Sequence, residues 1–157
     1  GVGAYAVQLA KLQGAYVIGT ASARSSVKLR DLGIDEIIDY QQEEVTGRVS
    51  EKLDLILNLS PESTETISTW LPLLKEGGIL VSTANPADAE LAKRYGIHVV
   101  QMGARQDGGQ LSQIASLVES GKLEPWITER LALQDLVLVH EQSAAGKIHG
   151  KVLITVE

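Results

Sequence analysis

Short apolar segments alternate with amphipathic helical segments along the chain, and this alternation constrains the fold most strongly. Strands are predicted at 15–20, 36–40, 53–59, 79–82, 97–101, 126–128 and 151–156. Helices are predicted between them at 3–13, 22–32, 42–50, 60–75, 86–95, 108–120 and 134–145. Because the connections are short, consecutive strands can run parallel with right-handed crossovers. The pattern therefore predicts an α/β fold with a doubly wound parallel sheet.

The first residues of the chain fit the end of a dinucleotide-binding loop that runs into a helix. Gly1, Val2 and Gly3 would let backbone amides approach a pyrophosphate, and the helix behind them adds its N–H groups and dipole. The pattern Gly1-x-Gly3-x-x-Ala6 also matches a complete fingerprint, but a lone match is weak. Because no strand precedes the loop, we expect a fragment whose Rossmann-like sheet lacks its first strand.

Composition excludes several classes of protein. The chain of 157 residues is long enough for one domain with a full core, and its net charge of −6 argues against nucleic acid as a partner. We expect no membrane partner either, because no run of 18 apolar residues occurs. With no cysteine, these residues offer no thiol nucleophile and no cysteine-ligated zinc.

Several short motifs occur along the chain: Gly1-Val2-Gly3 with Ala6-Val7-Gln8-Leu9-Ala10-Lys11, Gly33-x-Asp35-Glu36-x-Ile38-Asp39-Tyr40, Leu73-Leu74-Lys75-x-Gly77-Gly78, Gly121-Lys122-Leu123-x-Pro125 and Gly150-Lys151-Val152-Leu153. Together they resemble the motifs of the medium-chain dehydrogenase/reductase superfamily, in particular its zinc-independent quinone oxidoreductase branch. The resemblance implies that Gly3 is the last glycine of the fingerprint. It also implies a dinucleotide-binding domain over 1–123 and a segment, 124–157, that returns to a separate catalytic domain.

The residues at the end of the predicted strand 15–20, which would be the second strand of a complete sheet, bear on the choice of nicotinamide cofactor. An NAD site places a carboxylate there to accept hydrogen bonds from the ribose hydroxyls. Here Thr20, Ser22 and Arg24 occupy this region, and no carboxylate occurs before Asp31. Arg24 and Ser22 can bind a 2′-phosphate, so we predict NADP(H). The alternative is that Arg24 is a solvated residue in the first turn of a helix.

Further cofactor-binding residues are expected from the resemblance. Tyr40 would pack near the cofactor, although it could also be a strand-end tyrosine with a solvated hydroxyl. Asn58 lies near the C-terminal end of the predicted strand 53–59, at a position where many relatives carry aspartate. Ala84 and Met102 would lie beside the ribose and the nicotinamide. The three histidines, His98, His140 and His149, have a spacing that suits no metal site, so no metal is predicted.

The resemblance implies the NADPH-binding part of an oxidoreductase that transfers hydride to a quinone or an α,β-unsaturated carbonyl compound. No catalytic residue is assigned within these residues, and we expect 1–157 alone to be inactive. A cytoplasmic protein and a homodimer formed through strand 97–101 are also expected. Two alternatives stay open, a non-catalytic dinucleotide-sensing module and an S-adenosylmethionine-dependent methyltransferase. The methyltransferase would need an acidic residue that Thr20-Ala21-Ser22 does not supply.

Overall fold

The computed structural model describes residues 1–156 and confirms the alternation of helices and strands. The helices are α1 (Val2–Leu12), α2 (Ala23–Asp31), α3 (Val45–Arg48), α4 (Thr64–Ser68), α5 (Ala89–Tyr95), α6 (Gly108–Glu119) and α7 (Leu136–Ala144). The strands are β1 (Ile18–Ala21), β2 (Glu36–Asp39), β3 (Leu53–Asn58), β4 (Leu74–Ser82), β5 (His98–Gln101), β6 (Ile127–Ala132) and β7 (Lys151–Thr155). Short 3₁₀ turns cover Leu71–Leu73 and Leu133–Asp135.

The strands form three separate sheets, β1-β2, β3-β4-β5 and β6-β7. The second and third of these sheets are parallel, as the short helical crossovers predict. The chain divides into two compact units, one made of residues 1–37 with the chain from Asp107 onward, the other of residues 38–106. The predicted division between 123 and 124 stays a prediction.

In the first unit, Asp35 joins the end of α1 to the segment that leads into β1. Both of its carboxylate oxygens accept hydrogen bonds from the Lys11 ammonium, at 2.8 and 2.7 Å, and one also accepts from the Val17 N–H at 2.7 Å. The hydrogen bond from Lys11, followed by that from Val17, holds the pKa of Asp35 below its ordinary value. β1 begins at Ile18 instead of residue 15, and Tyr16 is exposed, because Val17 is already bonded to the segment around Asp35.

The buried face of α1 is formed by Ala4, Val7 and Gln8, whereas Leu9 is exposed. Hydrogen bonds compensate the burial of the Gln8 side-chain amide. It accepts from the Glu124 N–H at 2.7 Å and donates to the Glu124 carbonyl at 3.0 Å. A buried amide is tolerated when its donors and acceptors are paired in this way.

The core of the second unit is aliphatic and lies against the sheet β3-β4-β5. Its buried members are Ile67, Leu71, Leu74, Leu80, Ala87, Ala92 and Ile97. Ile67, Leu71 and Leu80 have no exposed surface. Because the chain contains no phenylalanine, branched aliphatic side chains and alanine fill this volume.

The helix predicted over 60–75 is confirmed only at Thr64–Ser68, and its second half is wrong. α4 ends at Ser68, Pro72 sits in a 3₁₀ turn, and β4 already begins at Leu74. Proline lacks an N–H and disfavours a helical conformation at the preceding residue, so the helix does not continue through it. Leu74 instead pairs with Leu53 of the parallel neighbour and is buried.

Gly77 and Gly78, part of one of the family motifs, lie inside β4 at an irregularity in its pairing with β3. Gly77 has φ +78°, and its N–H donates to the Gly96 carbonyl at 2.8 Å. A Cβ on Gly78 would lie 2.8 Å from the Lys75 carbonyl oxygen, closer than real Cβ atoms come. The pair therefore reflects close backbone packing within a strand.

Other predicted boundaries shift for local reasons. The helix predicted over 42–50 shortens to α3, whose four residues include Gly47. The helix predicted from 86 begins at Ala89, because the Asp88 side chain caps it by accepting from the Leu91 N–H at 2.7 Å. The strand predicted over 126–128 extends to Ala132 as β6.

We predict that replacing Asp35 with asparagine destabilises the protein at neutral pH. The difference in stability between wild type and variant should disappear at low pH. The pKa of Asp35 is lowered in the folded state, so its stabilising effect is present above the ordinary aspartate value and is lost as the pH falls through the folded-state value. The measurement is the unfolding midpoint of wild type and Asp35→Asn between neutral pH and about pH 2, below the ordinary aspartate value near 3.9.

The matched control is Asp54→Asn, because Asp54 pairs with Lys75 at 2.7 Å while its side chain is 84% exposed. Exposed pairs contribute little, so this variant should match wild type across the range. Equal effects of the two substitutions would contradict the role given to Asp35.

Candidate functional site

In the second unit, a buried polar pair lies where β3 and β4 end. Asn58 is the last residue of β3 and Ser82 the last of β4, and the two are paired in register. They are 4% and 0% exposed, and the Asn58 amide donates to the Ser82 hydroxyl at 3.0 Å. Ligand sites of parallel α/β sheets lie beyond these carboxyl ends, so the pair is placed where such a site would be built.

All the hydrogen-bonding capacity of the Asn58 amide is used within the protein. Its Oδ1 accepts from the Ser60 N–H at 3.1 Å and from the Ser60 hydroxyl at 2.8 Å. Its Nδ2 donates to the Ser60 carbonyl at 3.0 Å, in addition to the bond to Ser82. An asparagine side chain has two donors and one carbonyl acceptor with two lone pairs. The amide is therefore saturated, and its role is to shape the loop.

The same network fixes the segments that follow β4 and β5. The Ser82 hydroxyl accepts from the Ala84 N–H at 3.3 Å, and the Ser82 carbonyl accepts from the Met102 N–H at 2.8 Å. The Gln101 side chain donates to the Ala84 carbonyl at 2.7 Å. Of the residues predicted from the sequence, Asn58, Ala84 and Met102 are thus joined through Ser82.

An asparagine suits this position better than the aspartate that the resemblance led us to expect. An aspartate would bring a second acceptor oxygen against the Ser60 carbonyl, which now accepts from Nδ2 at 3.0 Å. Two acceptors facing each other in a buried site repel, and each loses its partner. The departure from the family pattern therefore has a local structural reason.

In the first unit, Gly1 forms the N-cap of α1 and provides no side chain at the start of the helix. Val2 is 67% exposed. Gly3 is half-buried in the first turn. The helix predicted from the glycine loop therefore begins at the loop itself.

The residues after β1 form the start of α2. Thr20 is exposed, Ser22 is the N-cap of α2, and Arg24 lies exposed in the first turn. The Ser22 side chain makes no capping hydrogen bond. Residues 20–30 contain no carboxylate, so an anion would meet no like charge from this segment.

Arg24 has a partner that the sequence did not suggest. Its Nη1 lies 3.0 Å from Nε2 of His149, although the two residues are 125 positions apart. His149 stands in the turn before β7, and its carbonyl accepts from the Thr128 hydroxyl at 2.7 Å. No periodicity or motif links such distant positions, so only the fold could reveal this pair.

The remaining predicted residues are more isolated. Tyr40 follows β2 and is 56% exposed. His98, His140 and His149 are all exposed. Within residues 1–156, no group of three or more His, Cys, Asp or Glu side chains could hold a metal ion. None of the helices in this part of the chain is long and apolar enough to cross a membrane.

The fold is that of a Rossmann-like α/β protein, and comparison with known proteins agrees. The solved structure of a quinone oxidoreductase from Coxiella burnetii aligns with this chain with a TM-score of 0.86 and 29% sequence identity. The alignment covers 100% of this chain and 50% of that protein. It is 27% identical over 183 residues to the zebrafish (Danio rerio) protein named "NAD(P)H oxidoreductase RTN4IP1, mitochondrial", covering 99% of this chain and 46% of that protein.

A third relative is the Arabidopsis thaliana "Chloroplast envelope quinone oxidoreductase homolog", 28% identical over 165 residues, covering 98% of this chain and 49% of that protein. Residues 32–154 match the family described as "Zinc-binding dehydrogenase". The chain belongs to this family, which confirms the predicted resemblance to the medium-chain dehydrogenase/reductase superfamily. It spans about half the length of the curated relatives it matches.

We predict that Asn58→Asp destabilises the protein by about 1–3 kcal/mol, the usual cost of leaving buried polar groups unpaired. The reason is the repulsion between the new oxygen and the Ser60 carbonyl. The free energy of unfolding in denaturant measures the effect. Asn85→Asp is the control, because the exposed Asn85 donates only to the Glu62 carbonyl, at 2.8 Å. We expect a loss within about 0.5 kcal/mol there, and similar losses at both positions would refute the argument.

Proposed function

We propose that this chain is the NADP(H)-binding part of an oxidoreductase that transfers hydride to a quinone or an α,β-unsaturated carbonyl compound. Membership of the dehydrogenase family and the names of the relatives support the oxidoreductase class. The observation that carries the cofactor choice is local. After β1 the chain presents Thr20, Ser22 and Arg24 and no carboxylate. An acidic residue there would repel a 2′-phosphate, whereas a guanidinium can bind it with two parallel hydrogen bonds.

The first unit has the chemistry needed for the phosphates. Gly1, Val2 and Gly3 lead into α1, whose first N–H groups can donate to a pyrophosphate. The Ser22 hydroxyl is not used in capping α2. In this proposal Ser22 and Arg24 bind the 2′-phosphate, and Thr20 lies beside the ribose.

In the second unit we assign the ribose and nicotinamide contacts to Tyr40, Ala84 and Met102. Ala84 and Met102 are held by hydrogen bonds to Ser82, which gives their backbones a fixed position. Asn58 keeps a place in the site as a positioning residue, because its own amide is saturated. When bound, the dihydronicotinamide supplies the hydride, and the residues of this chain bind and orient it.

Zinc, which the family description names, does not fit the residues of this chain. The sequence has no cysteine, and no cluster of ligating side chains occurs within residues 1–156. We therefore propose the zinc-independent branch. Metal analysis of the protein at its natural full length tests this, because stoichiometric zinc would refute it.

We further propose a homodimer formed through strand 97–101. β5 lies at an edge of its three-stranded sheet, and edge strands can pair across a two-fold axis. The cytoplasmic location stays a prediction, since the names of two relatives place them in a mitochondrion and a chloroplast envelope.

We predict that Arg24→Glu removes a preference for NADPH over NADH. Hydrogen bonds to charged groups contribute about 1.5–3 kcal/mol, so the ratio of the two dissociation constants should fall by about ten- to a hundredfold. Titration of both cofactors into the full-length protein gives this ratio. Arg30→Glu makes the same change of charge in the last turn of α2 and should leave the ratio unchanged. If Arg24→Glu leaves the ratio of the two dissociation constants unaltered, the assignment of Arg24 to the 2′-phosphate is wrong.

Turnover tests the oxidoreductase proposal itself. We expect the protein at its natural full length to oxidise NADPH in the presence of a quinone or an enone, and residues 1–157 alone to be inactive. Binding of NADPH by the full-length protein without turnover on either substrate class would favour a dinucleotide-sensing module. Turnover by 1–157 at the full-length rate would overturn the two-domain account.

A further inference from the structure

We propose that His149 is a second specificity-determining residue for the 2′-phosphate, and that it takes up a proton when the phosphate binds. The inference rests on the proposed NADP(H) function and assigns a role to a residue that no motif identified. In the structure His149 and Arg24 contact each other directly, with Nε2 and Nη1 3.0 Å apart.

The geometry of this pair fixes the direction of the hydrogen bond. A guanidinium has five N–H donors and no acceptor, so the hydrogen bond requires Nε2 of His149 to accept. In this contact Nε2 therefore carries no proton. A protonated His149 would place a second cation against Arg24, and the contact would become repulsive.

The His149 backbone is held firmly in its turn. Its carbonyl accepts from the Thr128 hydroxyl of β6 at 2.7 Å. The next residue, Gly150, has φ +79°, and a Cβ there would lie 2.9 Å from the Trp126 carbonyl oxygen. The neighbouring Lys151 N–H donates to that same carbonyl at 2.8 Å. The turn therefore holds His149 in place beside the first turn of α2 independently of its side chain.

A phosphate dianion changes what both side chains do. The Arg24 N–H groups would donate to phosphate oxygens, which form stronger charge-assisted bonds than a neutral imidazole can. The released Nε2 of His149 would take one proton from solvent and donate it in a hydrogen bond to another phosphate oxygen. Histidine is suited to this step, because its charge changes between about pH 5 and 8. The phosphate would thus replace the hydrogen bond between Arg24 and His149 with a charge-assisted hydrogen bond from each of the two side chains.

The charged groups on the neighbouring elements include more cations than anions. On α2 and the segments around His149 these are Arg24, Lys28, Arg30, Asp31, Glu124, Glu129, Arg130, Lys147 and Lys151. Lys28 and Glu124 pair with each other at 2.6 Å. An incoming anion is therefore favoured, and a neutral His149 is the group whose charge can still change.

The test compares binding of NADP⁺ and NAD⁺ to the full-length protein by calorimetry at pH 7.5. At this pH a phosphate monoester, with its second pKa near 6, is almost fully ionised and contributes few protons of its own. Repeating each titration in two buffers with different ionisation enthalpies gives the number of protons taken up. We expect net uptake with NADP⁺ that exceeds the uptake with NAD⁺.

Variants at His149 separate a binding role from a structural one. His149→Gln should bind NADP⁺ about tenfold more weakly, lose the extra proton uptake and leave NAD⁺ affinity unchanged. His149→Lys supplies a permanent cation, so it should keep NADP⁺ affinity while losing the uptake. His140→Gln is the control, because His140 is exposed on α7, and it should behave as wild type.

The outcomes distinguish this inference from the proposed function. If the wild-type protein binds NADP⁺ no more tightly than NAD⁺, the 2′-phosphate site itself fails. If NADP⁺ is preferred but the proton uptake is the same in wild type and both His149 variants, the inference about His149 is overturned and the phosphate site stands. Loss of NAD⁺ affinity in both variants would show a structural role and would also overturn it.

Discussion

The buried hydrogen bond between Asn58 and Ser82 is the interaction on which the arrangement of the second unit depends. It joins the last residues of two neighbouring parallel strands, and the hydroxyl and carbonyl of Ser82 then hold the segments after β4 and β5. The apolar core positions the strands, but it has no directional preference for how the loops leave them. The directional bonds of one amide and one hydroxyl supply that preference, in a place where unpaired groups would be costly.

The two units treat their proposed ligand groups differently. At the strand ends of the second unit the polar side chains are buried and satisfied by one another, which favours a rigid, preformed surface of backbone groups. In the first unit Thr20 and Arg24 are exposed, and the Arg24 guanidinium contacts the His149 imidazole. A preformed surface of backbone groups suits an uncharged ring, whereas an accessible basic side chain suits a phosphate.

Features set by local sequence were predictable, and features set by distant contacts were not. The alternation of strands and helices follows from short-range patterns, and the structure confirms it. The second half of the helix predicted over 60–75 was wrong because Pro72 lies in a 3₁₀ turn and Leu74 pairs with Leu53 of the neighbouring strand. Asn58 was identified by its place at a strand end, but its saturated amide was not visible in the sequence. Arg24 was chosen for its charge, and its contact with His149 depends wholly on the fold.

The pairing of Gln8 with Glu124 has a consequence for how the chain can be divided. The buried amide of α1 exchanges two hydrogen bonds with the backbone at the first residue beyond the proposed nucleotide-binding domain. A nucleotide-binding domain produced separately by stopping at 123 would leave both polar atoms of that amide without these partners inside the protein. The boundary between residues 123 and 124 is therefore a poor place to end a separately produced domain. Such a domain needs at least the backbone of Glu124 to satisfy the buried Gln8 amide of its first helix.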